Sequence, residues 1–260
     1  MLRLILVFLA CWSAVSAPAA PPSFQDSMAQ RTLACTSCHG KEGRAGPDGY
    51  YPRIAGKPAG YLYNQLLHFR EGRRHYGLMA GLVETLSDEY LYEIALHFSK
   101  LDVPYPPPQP ATAAPEVLQR GRALALQGDA ERRLPACASC HGQSLTGVQP
   151  TTPGLLGLSR DYLNAQLGAW RTGQRRAVLP DCMAEIARRL APEDLSAVTA
   201  WLASEAPPRD SRPTAAVVPA AAQPTPARRK GRKPAPVAQA PEPPPMRCGS
   251  AQLPVAGTSR

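Results

Sequence analysis

Two short stretches of the chain place cysteine and histidine where they could attach a cofactor. The stretches are ACTSCHG at 34–40 and ACASCHG at 136–142, and in each a histidine directly follows the second of two cysteines. Two thiols separated by two residues reach the two vinyl groups of one haem, and the next imidazole meets the iron. We therefore predict two covalently bound haem c groups. The attachment residues are Cys35, Cys38, Cys137 and Cys140.

Other cysteine-based sites fit this pattern less well. A zinc ribbon places its two cysteine pairs about 15 to 20 residues apart, whereas Cys35 and Cys137 are 102 residues apart. A thioredoxin-like redox site requires a βαβ context, and the sequence shows none. The histidine after each pair also argues against a simple disulfide framework. Haem is therefore the favoured cofactor, with His39 and His141 as iron ligands.

One methionine in each half of the chain is a candidate for the second axial position. Met79 lies 40 residues after His39, and Met183 lies 42 residues after His141. A thioether ligand closes the iron and raises its potential, which suits electron transfer. The competing interpretations are core packing for the methionines, His75 as the ligand, or an open iron as in a haem peroxidase. The recurrence of the two positions favours methionine ligation.

The two motifs belong to an internal duplication. Residues 33–101 align with 135–205, and YLYNQLLHFREG from Tyr61 matches YLNAQLGAWRTG from Tyr162. Apolar residues in both segments recur at helical spacing, and the last helices are predicted to begin near Ser87 and Pro192. No segment alternates as a strand does. The fold class is therefore all-α, with two tandem helical domains, each around one covalent haem.

Composition divides the chain into five segments. The start has one early arginine, an apolar run and small residues, which is typical of a secretory signal peptide, with an uncleaved anchor as the alternative. Proline marks a linker, and the last segment is too poor in apolar residues to fold alone. We predict a signal peptide at 1–20, cytochrome domains at 21–102 and 116–206, a proline-rich linker at 103–115, and a disordered basic Pro/Ala-rich tail at 207–260.

The formal charge of +9 does not indicate a nucleic-acid partner. Residues 207–260 hold nine Lys/Arg against two Asp/Glu, so the predicted domains are close to neutral. A nucleic-acid-binding domain usually carries its basic face on the fold itself. The basic cluster at 228–233 could instead make peripheral contact with an anionic membrane or an acidic partner, or act as a solubilising tether.

Taken together, the motifs resemble a dihaem class I cytochrome c of the cytochrome c4 type. The resemblance extends over residues 33–205 and includes Pro52, Pro153 and the two aligned Met-then-Leu pairs. It implies an electron carrier of the periplasm with no catalytic residues, rather than an enzyme. It also implies that the proline after each motif supports the ligand histidine through its carbonyl group.

The resemblance also suggests redox protein partners. The carrier would pass single electrons from a respiratory donor, such as a quinol–cytochrome c oxidoreductase, to a terminal oxidase or another acceptor. The alternative is the cytochrome subunit of a periplasmic dehydrogenase complex, and a haem peroxidase is a third interpretation.

Cys182 departs from the family pattern because it directly precedes Met183. A thiolate ligand would favour oxygen chemistry, but the duplication aligns Cys182 with Leu78 and Met183 with Met79. Cys182 is then a buried spare thiol or the disulfide partner of Cys248.

Basic pairs recur in matching loops of the two repeats, at 73–74 and 175–176. These arginines could pair with haem propionates, steer an acidic partner or simply be solvated.

Overall fold

The computed structural model describes residues 25–216 and 248–254, and these residues form ten α-helices, one 3-10 turn and one short β-ribbon. The first domain contains α1 (Met28–Arg31), α2 (Leu33–His39), a 3-10 turn (Lys41–Gly43), α3 (Ala59–Arg70), α4 (Gly77–Val83) and α5 (Asp88–Ser99). The second contains α6 (Pro115–Leu126), α7 (Cys137–His141), α8 (Arg160–Thr172), α9 (Cys182–Arg189) and α10 (Pro192–Ser204). None of the described helices combines the length and apolar character needed to cross a membrane. The predicted signal peptide lies outside the described residues.

Local side-chain caps start several of these helices. The Ser87 hydroxyl accepts a hydrogen bond from the Tyr90 backbone N–H at 3.3 Å at the start of α5, and Ser159 caps α8 in the same way. Such caps satisfy backbone donors that have no partner inside the helix. Proline at the first position of α10 supplies a preset helical φ. The predicted starts near Ser87 and Pro192 are confirmed.

Each domain has its own hydrophobic core. In the first domain α3 packs against α5, and Leu67, Leu91 and Phe98 are buried at their contact. In the second domain α6 packs against α10, and Leu124 and Leu202 are buried there. Each such side chain contributes about 1.5–3 kcal/mol when removed from water. The separate cores agree with the predicted fold class of two tandem helical domains.

The helix that packs on the last helix differs between the domains. In the second domain α6 crosses α10 so closely that a Cβ atom at Gly121 would lie 2.2 Å from the Ala197 carbonyl oxygen. In the first domain the four-residue α1 contacts α5. The second domain therefore gains a longer helix contact around its core.

A small β-ribbon follows the second motif. Its strands, β1 (Gly147–Val148) and β2 (Thr152–Pro153), pair antiparallel. The Thr214 N–H donates to the Gly147 carbonyl at 3.0 Å, and Thr214 forms a parallel bridge with Val148. Two-residue strands are too short to show an alternating pattern in the sequence, and the fold is otherwise helical over the described residues.

Two parts of the predicted tail are attached to the domains. Cys248 forms a disulfide bond with Cys182, and the Ala251 N–H donates to the Asn64 Oδ1 atom at 3.2 Å. Ala251 and Leu253 pack against the core of the first domain. Residues 207–216 and 248–254 of the predicted tail thus contact the domains, the first segment through Thr214 and the second through the disulfide bond and apolar side chains. Residues 217–247 and 255–260 lie outside the described residues.

Candidate haem-binding sites

Each CxxCH motif forms a short helix that ends at its histidine. In each motif the first cysteine lies three residues before the second cysteine and four residues before the histidine, so the first cysteine shares a helix face with both. The glycine that follows has a positive φ, 74° at Gly40 and 85° at Gly142. A Cβ atom at Gly40 would also lie 2.2 Å from the Ala45 carbonyl oxygen. The glycine shared by both motifs therefore permits the sharp exit from the motif helix.

The four motif cysteines are free of disulfide bonds and half-buried. Burial raises the pKa of the Cys137 thiol to about 11 and also raises the pKa of Cys35. The first thiol of each pair thus faces the interior of its domain. These sulfur atoms are available for thioether bonds, whereas Cys182 and Cys248 are paired with each other.

The two histidines are held by the prolines that the family resemblance indicated. The His39 Nδ1 atom lies 2.8 Å from the Pro52 carbonyl oxygen, and the His141 Nδ1 atom lies 2.7 Å from that of Pro153. An Nδ1–H donor in this bond leaves the Nε2 lone pair for iron. Burial lowers the pKa of both imidazoles, which favours the neutral form that binds metals. The expected proline support is confirmed.

The two methionines occupy corresponding helices. Met79 lies in α4 and packs, half-buried, on the core that also contacts Cys35. Met183 lies half-buried in the first turn of α9, which packs against α8. The neighbouring Cys182 is bonded to Cys248, so Met183 carries the unpaired sulfur at this position.

The remaining histidines have other surroundings. His75 is exposed, and its backbone N–H donates to the Gln174 carbonyl at 3.2 Å. His68 is buried, and burial is the main cause that lowers its pKa to about 4. His97 contacts the Phe98 ring edge-on. His68 and His97 therefore have packing positions in the first domain.

A pair of arginines lies at the contact between the domains. Arg74 and Arg175 form a backbone bridge, and each guanidinium donates to one glutamine from each domain at 2.7–3.0 Å. Each also reaches a tyrosine of the other domain, at 3.0 and 3.5 Å. The acceptors are Gln65, Gln166, Tyr61 and Tyr162. The duplication thus gives this contact a nearly two-fold arrangement.

The arginine pair is a buried positive charge. Arg175 is 4% exposed, and among the described residues neither it nor Arg74 has a carboxylate partner within ion-pair distance. Burial, and then the charge of Arg74, lowers the pKa of Arg175. The guanidinium carbon lies 3.8 Å from the Trp170 ring centroid, and the buried Nε1–H of Trp170 has no acceptor in the described part of the chain. Solvation is therefore the wrong interpretation for Arg175.

Sequence reasoning missed a lysine that crosses between the domains. Lys57 is buried, and its ammonium donates to the Gly154 carbonyl oxygen at 2.9 Å. The only signal in the sequence was that the duplication aligns Lys57 with Leu158. A charged side chain at a position where the other copy has an apolar one indicates a buried charge, and a buried charge requires a hydrogen-bond partner.

These residues fit two haem c groups. In each domain there are two unpaired thiols, an imidazole with a free Nε2 atom and a methionine on the corresponding helix. The interdomain contact adds buried donors for carboxylates. The site and the two helical domains define a dihaem c-type cytochrome.

Comparisons with known proteins show the family. The chain is 37% identical, over 75% of its length and 85% of the relative's, to the thiosulfate dehydrogenase electron acceptor of Thiomonas intermedia. It is 31% identical to cytochrome c4 of Pseudomonas aeruginosa, over 66% of this chain and 84% of that protein. The crystal structure of reduced recombinant cytochrome c4 from Pseudomonas stutzeri aligns with a TM-score of 0.57 and 26% identity, over 68% of this chain and 96% of that chain. No family model matches the chain.

The chain therefore belongs to the cytochrome c4-like family of dihaem cytochromes. It binds two covalent haem c groups and transfers electrons.

Proposed function

We propose that Cys35, Cys38 and His39 hold the first haem, with Met79 as its second axial ligand. Cys137, Cys140, His141 and Met183 have the same roles for the second. The observation that carries this assignment is the hydrogen bond from each histidine Nδ1 atom to a proline carbonyl, at 2.8 and 2.7 Å. Haem c supplies one-electron iron chemistry when it is bound.

The chain contributes orientation and charge to this chemistry. Pro52 and Pro153 fix the imidazole rings and raise the basicity of their free nitrogen atoms. Methionine thioethers keep the potentials high and leave no open coordination position. The guanidinium groups of Arg74 and Arg175 and the Trp170 N–H would hold propionates at the contact between the domains.

The protein then carries electrons and transforms no substrate by itself. With Met79 and Met183 as ligands, the two irons would have no free position for a small substrate. We expect two haems per chain in a pyridine haemochrome assay and no binding of carbon monoxide by the reduced native protein. One haem per chain, or ready carbon monoxide binding, contradicts the assignment and favours an enzyme such as a peroxidase.

We infer that a dehydrogenase is the electron donor. A relative with 37% identity is named a thiosulfate dehydrogenase electron acceptor, which favours the dehydrogenase alternative over a quinol–cytochrome c oxidoreductase. A donor that releases two electrons matches two one-electron sites in one chain. The donor class is thus a thiosulfate-oxidising dehydrogenase, and the acceptor is a terminal oxidase or another redox protein.

The donor can be tested by rapid mixing of the oxidised protein with thiosulfate and a thiosulfate dehydrogenase. Both haems should be reduced within the mixing experiment, whereas thiosulfate alone should reduce neither. Faster reduction by a quinol–cytochrome c oxidoreductase than by the dehydrogenase contradicts the inferred donor.

The proposed compartment is the periplasm. Residues 1–20 have the composition of a secretory signal, and attached haem and a disulfide both suit an exported protein. N-terminal sequencing of the mature protein should find a start between residues 18 and 21. A mature protein that retains Met1 contradicts export by cleavage.

A further inference from the structure

Lys57 of the first domain lies behind the histidine of the second. Its ammonium donates to the Gly154 carbonyl oxygen at 2.9 Å, across 97 residues of sequence. The preceding residue, Pro153, uses its own carbonyl to accept from the His141 Nδ1 atom at 2.7 Å. Two consecutive carbonyl groups thus connect a lysine of one domain with the candidate iron ligand of the other.

The first haem site has no matching arrangement among the described residues. The duplication aligns Gly154 with Arg53 and Lys57 with Leu158. Arg53, which follows Pro52, donates to the carbonyl groups of Val103, Pro104 and Ala55, all of which lie in its own domain or the linker. Among the described residues, the first domain therefore contacts the turn that supports His141, and no equivalent contact reaches the turn that supports His39.

The lysine brings a charge that is not balanced locally. It is 4% exposed, and in the described part of the chain its hydrogen-bond acceptor is a neutral carbonyl. The charged or titratable groups that interact with it are Arg53, another cation, and His141. Burial, and then Arg53, lowers the pKa of Lys57 to about 7. A cation in this setting acts on the nearest redox centre with little screening.

We propose that Lys57 is a positioning residue for the second haem, holding the turn that orients His141 and raising that haem's reduction potential relative to the first. The inference rests on the proposed ligand role of His141. A nearby positive charge disfavours ferric iron, which carries one more positive charge than ferrous iron, so the protonated lysine favours reduction. Loss of the proton as pH rises through neutrality removes this effect, and the potential of the second haem should fall with it.

The test is a spectroelectrochemical titration of the full-length holoprotein at about pH 6 and about pH 9, which bracket the lysine's titration. In the unmodified protein one of the two potentials should fall between these pH values. Met183→Ala, which lowers the potential of the second haem, identifies which one it is. At the lower pH, Lys57→Met should change the equilibrium constant for electron transfer between the two haems roughly tenfold in favour of the first haem. This is the size expected for one weakly screened charge.

Two further variants separate the position from the charge alone. Lys57→Arg keeps a permanent charge, so the potential of the second haem should stay high at the upper pH. Lys100→Met removes an equal charge from an exposed position of the first domain, and neither potential should move. Equal shifts of both haems, or the same shift in Lys100→Met, overturn the proposal.

The outcomes also distinguish this inference from the haem assignment. If Lys57→Met retains two haems and the far-red band of methionine ligation but both potentials are unchanged, only the role of Lys57 is wrong. If His141 is not a ligand, His141→Ala retains a six-coordinate second haem and the proposed function is wrong. If Lys57→Met yields no holoprotein, the unmodified protein decides, because potentials that are independent of pH contradict the proposal.

Discussion

The two domains share the attachment of the haem and differ in what surrounds it. In both domains a histidine Nδ1 atom lies close to a proline carbonyl oxygen, and the two distances differ by 0.1 Å. The second domain alone receives Lys57 from its neighbour, and its methionine helix is bonded to Cys248, whereas Leu78, the counterpart of Cys182, is exposed. Both copies therefore share the arrangement proposed for haem attachment, and contacts from elsewhere in the chain distinguish the second site.

The packing of the domains shows the same asymmetry. The long α6 crosses α10 at Gly121 in the second domain, and the buried Asp194 of α10 pairs with Arg120 and Arg132. In the first domain Tyr90 occupies the position of Asp194, and the short α1 contacts α5. The second domain thus depends on contacts that have no equivalent in its copy among the described residues, and these contacts can be removed one at a time.

The disulfide should give the largest effect. Cys248→Ser is expected to lower the free energy of unfolding of the second domain by about 4 kcal/mol, because the bond spans 66 residues and restricts the unfolded chain. Chemical denaturation followed by haem absorption measures the loss. Cys182→Ser should cost the same, and the double variant no more. A double variant that loses twice as much contradicts the pairing.

The close helix crossing should give the next largest effect. Gly121→Ala is expected to lower the stability of the second domain by about 3 kcal/mol, because the added Cβ atom must separate α6 from the α10 backbone. Urea denaturation measures the difference. The control is Arg122→Ala on the exposed side of the same helix, which should change stability by less than about 0.5 kcal/mol. Equal costs for both variants contradict the close crossing.

The buried carboxylate should give a smaller and pH-dependent effect. Asp194→Asn is expected to cost about 2 kcal/mol at neutral pH, because it breaks charge-assisted bonds from Arg120 and Arg132. The hydrogen bond from Arg120 lowers the pKa of Asp194. Its stabilising contribution is therefore present above the ordinary carboxyl pKa and is lost as pH falls through the lowered value.

The matched control for the carboxylate is an exposed ion pair. Asp210 pairs with Arg212 at 2.9 Å, but both side chains are mostly exposed. Asp210→Asn should therefore leave the free energy of unfolding nearly unchanged. Denaturation across the acid range should show the difference between Asp194 and its variant shrinking as pH falls. A difference that stays constant with pH contradicts the role of the charged form.

Sequence alone predicted the features that depend on short-range patterns. The CxxCH motifs, the helices around Tyr61 and Tyr162 and the duplication all follow from local spacing. The duplication also selected Met183 over Cys182 as the ligand candidate, and the disulfide agrees with that choice. Repetition helped because a position that recurs in both copies has two independent chances to be recognised.

The missed features are contacts between distant parts of the chain. The partner of Lys57 is 97 residues away, and Leu253 packs on the core of the first domain from the far end of the chain. The Cys182–Cys248 disulfide, in contrast, was one of the two alternatives that the sequence offered for Cys182. The high proline and alanine content of the tail gave no indication of the contact that Leu253 makes. The role of the paired arginines was also undecided from the sequence, because Arg175 becomes buried only where the two domains meet.

The central claim is that both haems have the same histidine and methionine ligands despite their different surroundings. The weak far-red band of methionine-ligated ferric haem c tests it directly in single variants. Met79→Ala and Met183→Ala should each remove about half of this band, and Cys182→Ser, although it breaks the disulfide, should leave the band intact. An unchanged band in Met183→Ala together with an altered second haem in Cys182→Ser would contradict the account and assign a cysteine-ligated iron to the second domain.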